Sequence, residues 1–469
     1  MLSSARQRVV KAWMSLQVEY QGSYSDQRLQ QLGHYMKELS TLRLLLVCVL
    51  TPLPCLFLSL IKEVPPMAPP EAGVYGNGVF FARSWAVMAD PSLFVEVQRQ
   101  LVVYQCQTTL PFVYPLYIYG FVSLTGWNQV IFVAVLPIIQ IIAKNWISRA
   151  LGDDDDQKPQ CVIFVVEVYN ALYVSNVLQT ASSWASTAAV MVVDLVQFWV
   201  SMLDIVEIFK DVNALMAKIP RDHPLATESF VQVAAHLMTA EAQAKAQSGQ
   251  VEVNDPCLAL TTPAPKPTEA PESGSYVPKM KDAYMSRQWI VSQTARVFPF
   301  HPQNRYRKQP TISDNDLKLD DILTPTERSM FIRKTKHVLF IAEYLVLVEY
   351  VEAVLPFVYC LHELILFQMH NSAYYPSLAG LSSAQVSSGL RSTLLYSVLQ
   401  LGSFITLMLL LKIKLGYSPL QHLAFVLDVH AGVVQTKLNL IFVYIMQVSL
   451  THLGADFSFK FSWLHPRKD

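Results

Sequence analysis

Apolar runs of bilayer length, separated by polar breaks, set the pattern of this chain. A helix rising 1.5 Å per residue needs about 20 apolar residues to cross the hydrocarbon core. Such runs fall at residues 44–61, 101–124, 130–147, 161–180, 184–209, 337–360 and 392–411, and a last one covers 422–450. The expected fold is an all-α integral membrane protein, with about eight hydrophobic segments in two helical bundles separated by a long, partly disordered cytoplasmic loop.

The polar breaks divide the chain. Residues 1–43 read as a cytoplasmic N-terminal segment, 44–209 as an N-terminal transmembrane bundle, 337–450 as a C-terminal one and 451–469 as a tail. Between the bundles, residues 210–336 form the cytoplasmic loop, with a helix-like alanine-rich patch at 230–246. Its tract TTPAPKPTEAPESGS buries too little apolar area to fold alone and reads as disordered. Pro52 and Pro54 interrupt the first run, and the Pro- and Gly-rich residues 62–100 read as an irregular loop. The acidic run at 153–156 reads as a solvated loop.

Basic residues orient the spans. Lys144, Arg149 and Lys158 lie between the runs at 130–147 and 161–180, and 17 lysines and arginines lie in residues 210–336. Lys412 and Lys414 follow the run at 392–411, whereas residues 125–129, 181–183 and 368–390 hold no basic residue. This count puts the long loop inside and the turns at 125 and 181 outside. It also puts residues 62–100 inside, which would force the basic N-terminus outside against its own charge. Either the first run is a re-entrant hairpin bent at Pro52 and Pro54, or a spanning segment is missing before residue 101.

Composition agrees with a bilayer setting. Hydrophobic residues make up 52% and charged residues 15%, against about 25% charged in an ordinary soluble domain. Net charge is zero, so no bulk attraction to nucleic acid is expected. Cys48, Cys55, Cys106, Cys161 and Cys360 sit in apolar stretches without a CxxC pair, and read as buried thiols. The 11 histidines show no metal-ligand spacing, and HExxH, phosphate-loop, GxSxG and GxGxxG motifs are absent. The expectation is a non-enzymatic protein with no cofactor and no metal. Its expected partners are the lipid bilayer, a small solute or ion, and a protein at the cytoplasmic loop; the plasma membrane is the candidate location.

Acids inside the apolar runs carry the candidate chemistry. An acid at a span centre costs about 2.5–3.5 kcal/mol on insertion scales, so it should face protein or water. Glu349 and Glu352 lie in the run at 337–360, Glu167 and Asp194 in the earlier hairpin, and Asp428 in the last run. At about 100° per residue, Glu352 and Glu363 stand about 20° apart and Glu349 about 60° from Glu352, one stripe that leaves Glu343 elsewhere. The stripe suits a proton or cation path, and interhelical hydrogen bonding would use the same residues.

A weak internal repeat accompanies these acids. Phe164-Val-Val-Glu167, Phe340-Ile-Ala-Glu343 and Phe425-Val-Leu-Asp428 share one pattern. The spans after the first two begin Ser186-Thr187 and Ser392-Thr393, then match at Val192/Val398, Leu195/Leu401, Phe198/Phe404, Met202/Met408 and Leu203/Leu409. Secondary transporters are often built from such repeats, with sites at the repeat interface, although apolar stretches also look alike by chance.

The stretches YQCQTTLPFVYPLY, EVYNALYVSNVLQTASS, EYLVLVEYVEAVLPFVY, QHLAFVLDVH and THLGADFSFKFSWL together resemble a large family of multi-pass membrane proteins from oomycetes. The resemblance covers nearly the whole chain outside residues 210–330. It implies a membrane protein and brings no activity, ligand or catalytic residue. Family members carry a further hydrophobic segment before the CQ motif, whereas here residues 95–100 run straight into it. Two function classes follow: a transporter or channel-like protein with an acid-lined path, and a membrane scaffold or receptor-like protein acting through its cytoplasmic loop.

Overall fold

The computed structural model describes residues 17–78, 101–247 and 323–438, apart from single positions and short turns within them, together with His452. Among these residues every regular element is helical. In chain order they are α1 (Asp26–Glu38), α2 (Thr41–Leu50), α3 (Leu53–Lys62), α4 (Leu101–Ser123), α5 (Trp127–Phe132), α6 (Val135–Leu151) and α7 (Lys158–Thr180). Then come α8 (Trp184–Met216), α9 (Phe230–Gln247), α10 (Pro325–Leu366), α11 (Ser383–Leu415), α12 (Pro419–Val429) and α13 (Ala431–Leu438). The Pro-rich tract, Asp153, the turn at 181–183 and the tail other than His452 lie outside the described residues.

Local chemistry sets the helix ends. At the start of α10 the Thr324 hydroxyl accepts from Glu327 N, the Glu327 side chain accepts from Thr324 N, and Pro325 takes the first helical position. Ser382 and Gln385 repeat this capping box at α11, which stops at Gly416 with φ of 67°. That left-handed conformation is one that glycine adopts without a Cβ clash.

Among the described residues, five helical stretches are long and apolar enough to cross a membrane: Thr41–Lys62, Trp127–Leu151, Lys158–Gln179, Ala188–Met216 and Ser383–Leu415. Four of them are only 24–33% buried by protein, whereas Lys158–Gln179 is 94% buried. Their outward faces carry Leu46, Ile142, Leu203 and Leu399, an apolar sheath that water would penalise and lipid does not. A sheath of this kind around a central helix is that of an integral membrane protein. The 42-residue α10 packs along α7 and carries Glu343, Glu349 and Glu352 into the core. Because α8 and α11 also pack on α10, helices that the sequence divides between two bundles close around a shared core.

Contacts trace the two ends of the molecule. Ion pairs of Lys218 with Glu327, Lys334 with Asp211 and Lys336 with Asp26 gather α1, the end of α8 and the start of α10 at one end, the basic end. The α6–α7 loop lies there too, through Ser23 N and Asp155 at 3.0 Å. The alanine-rich patch is the helix α9, and it packs on α1 and α10 at the same end. At the opposite end, Tyr375 OH donates to Glu63 Oε1 at 2.6 Å and Met67 N to Asn371 Oδ1 at 2.8 Å.

Two expectations are corrected by these contacts. The first run is no re-entrant hairpin: α2 and α3 together cross the bundle, bent where Pro52 removes a donor from the helical ladder. The Cys48 carbonyl that loses this donor accepts instead from Tyr350 OH at 2.7 Å, and the Thr51 carbonyl at the bend accepts from Gln435 Nε2 at 2.8 Å. Residues 63–67 also lie opposite the basic loops, not beside them. Since α6 returns to the basic end, α4 begins there, whereas Asn77, which accepts from Ala68 N at 2.9 Å, lies at the opposite end. His452 stacks edge-on to Tyr374 with ring centroids 4.8 Å apart, so it sits at the end opposite Lys412 and Lys414.

Candidate membrane-embedded polar site

Midway between the two ends, α6, α7, α8 and α10 turn polar side chains toward one another. Lys144 Nζ of α6 pairs with Glu167 Oε1 of α7 at 2.5 Å, and both residues are buried. Gln140 and Asn170 each donate to Glu167 Oε2 at 3.4 Å. From α8, Asp194 Oδ2 accepts from Tyr396 OH of α11 at 2.6 Å and from Gln400 Nε2 at 3.4 Å. Glu349 and Glu352, 3% and 8% exposed, enter from α10.

Four of these residues, Lys144, Asp194, Glu349 and Glu352, line a cavity of about 40 Å³ together with Tyr344, and Glu19 and Tyr20 of the N-terminal segment form a further wall. A water needs roughly 10–15 Å³ of such space, so two or three waters fit and an organic solute does not. Among the described residues no group of three His, Cys, Asp or Glu is disposed to hold a metal ion.

Glu349, Glu352, Asp194 and Glu167 therefore share one site, although they come from three helices far apart in the chain. Asp428 does not join them. It lies near the basic end, where Arg43 pairs with it at 2.5 Å and Tyr35 OH donates at 3.0 Å. Glu363 stays outside the cavity as well, accepting from Ser377 Oγ at the opposite end at 2.9 Å. Its angular position matches Glu352, but 11 residues of helix separate them by about 16 Å.

A second polar cluster escaped the sequence. Arg28, in a segment expected to be cytoplasmic, is buried and reaches Glu343 Oε1 at 2.6 Å. Tyr24 OH donates to the same carboxylate, with His422 Nε2 at 2.5 Å from that hydroxyl, and Gln160 Nε2 donates to Glu343 Oε1 at 3.0 Å. Burial works against the guanidinium charge, yet Glu343 outweighs it and holds Arg28 protonated more firmly than usual. The acidic run is not simply a solvated loop either. Asp155 accepts from Ser23 N at 3.0 Å and Asp156 from Ser25 N at 2.9 Å, fastening the N-terminal segment beneath α10. The sequence held only a weak signal for this, an acid run and a basic segment with nothing to connect them.

The repeated Phe-x-x-acid pattern acquires a shared role. Phe164, Phe340 and Phe425 are fully buried, and each acid three residues later meets a base from another element: Glu167 with Lys144, Glu343 with Arg28, Asp428 with Arg43. Comparison with known proteins finds no family model, no curated protein and no solved structure that matches this chain.

Proposed function

We propose that the protein is a transporter or channel-like membrane protein, with its ion path running through the cavity bordered by Asp194, Glu349 and Glu352. The observation that carries this reading is the convergence of those acids, with the Lys144–Glu167 pair, on one polar cavity inside an apolar sheath. Polar groups at this depth are costly, and a water-filled ion route is a main reason to keep them. In this reading all eight hydrophobic segments cross the bilayer, and the plasma membrane is the location.

The repeat supports the same assignment. The hairpin α7–α8 and the hairpin α10–α11 each pair a buried helix with a 33-residue outer helix, and the acid cavity lies between them, where repeat-built transporters place their sites. The test is the purified full chain in liposomes, with proton, sodium and potassium gradients and a solute panel read by internal dyes. Flux that Glu352→Gln removes without lowering thermal stability is expected. Absence of flux from folded protein across all gradients and solutes would overturn the proposal and leave the cytoplasmic loop, through a bound protein partner, as the working part.

A further inference from the structure

The cavity wall holds two polar atoms with no hydrogen-bond partner: Glu349 Oε2 and Tyr344 OH, on residues 3% and 2% exposed. We propose that Glu349 is a proton-binding residue, which takes its proton through water held in the cavity and shared with the Tyr344 hydroxyl. Its part in a path rests on the transport reading above; its protonation chemistry does not.

Charge balance is the first argument. Glu19 from the N-terminal turn, Asp194 from α8, and Glu349 and Glu352 from α10 face the cavity, against the single ammonium of Lys144 from α6. Glu167 of α7 already pairs with that ammonium, and Tyr396 of α11 reaches the site only as a donor to Asp194. Carboxylates in surplus within a low-dielectric interior require bound cations or protons.

Space and donor geometry select the proton. About 40 Å³ admits a few waters, and no three described acids, histidines or cysteines are placed around a metal ion. Asp194 is engaged by Tyr396 and Gln400, and Glu167 by Lys144, Gln140 and Asn170. Glu349 Oε2 has neither hydrogen bond nor ion pair and borders the same space as the orphan Tyr344 hydroxyl. A hydronium arriving through that water transfers a proton to Glu349 Oε2, forming the O–H bond and leaving a neutral water behind. The neutral acid then donates to the water, which can satisfy Tyr344 in turn.

The experiment is pH-difference infrared spectroscopy of the full chain in lipid nanodiscs, following the carbonyl stretch of protonated carboxyls. A band that titrates in the natural protein, disappears in Glu349→Gln, returns in Glu349→Asp and shifts in Tyr344→Phe is expected. Its survival in folded Glu349→Gln, or absence of any titrating band in the natural protein, overturns the proposal. Should neither Glu349 variant fold, Tyr344→Phe decides, because an unshifted band there is equally fatal. Parallel liposome measurements separate the two proposals: a Glu349 band without flux removes the transport reading alone, and flux without that band removes the proton site alone.

Discussion

Gln400 Nε2 lies 3.4 Å from Asp194 Oδ2, and the two residues hold the same place in two helices that echo each other. Each stands two positions beyond a matched valine, Val192 at 58% exposure and Val398 at 54%. Leu203 and Leu409 likewise face outward at 68% and 54%. The matched valines and leucines face outward while the matched acid and amide meet, an arrangement consistent with the weak repeat read in the sequence.

Asp194→Asn should therefore be tolerated structurally. The amide oxygen can accept from Tyr396 OH and Gln400 Nε2 as the carboxylate does, and membrane hydrogen bonds are worth about 0.6 kcal/mol on average. Thermal unfolding in detergent should show a loss under about 1 kcal/mol, while Tyr396→Phe with Asp194 kept should cost more, since it strips a donor from a buried acid. The reverse order would contradict the geometry.

Arg28 and Glu343 should behave as one unit. Arg28→Ala leaves Glu343 buried beside Tyr24 and His422 without its guanidinium, a change worth about 3–5 kcal/mol in comparable pairs. Arg28→Met with Glu343→Leu removes both charges and should recover most of that loss. Unfolding free energies of Arg28→Met, Glu343→Leu and the double variant make the check, and simple additivity would break the assignment.

The N-terminal segment should control entry to the cavity from the basic end. A Cβ on Gly22 would collide with the Phe340 ring, so Gly22→Ala must shift that ring or the turn, and because the ring is fully buried the expected outcome is displacement of the turn that brings Glu19 and Tyr20 to the cavity wall. In a cysteine-free background, a cysteine at Ser201 should react slowly with a membrane-impermeant thiol reagent, and at least several-fold faster after Gly22→Ala. Equal rates would mean that the segment is no barrier.

Sidedness can be tested the same way. Cysteines placed at Glu71 and at Leu381 should be labelled from one face of intact cells, and a cysteine at Lys218 from the other, because the Glu63–Tyr375 and Lys218–Glu327 contacts define opposite ends. A glycosylation sequon within residues 255–280 should stay unmodified, as the basic loops predict. Labelling of positions 71 and 218 from the same face would contradict the crossing of α2–α3.

The sequence alone determined the helical class, the apolar runs and the acids inside them. Those signals are local: a run of about 20 apolar residues specifies a span, and capping residues such as Thr324 with Glu327 act within one turn. Tertiary structure decided which acids meet. Glu343 finds Arg28 across 315 residues of chain, and Asp194 finds Tyr396 across 202. It also decided that residues 63–67 belong opposite the basic end, because Glu63 is held there by Asn371 and Tyr375. Helical periodicity gives a side chain's direction around its own axis but carries no information about which helix stands opposite. Glu349 and Glu363 share a stripe on that periodicity, yet of the two only Glu349 borders the cavity, because α6, α8 and the N-terminal turn enclose that space against α10 at its level.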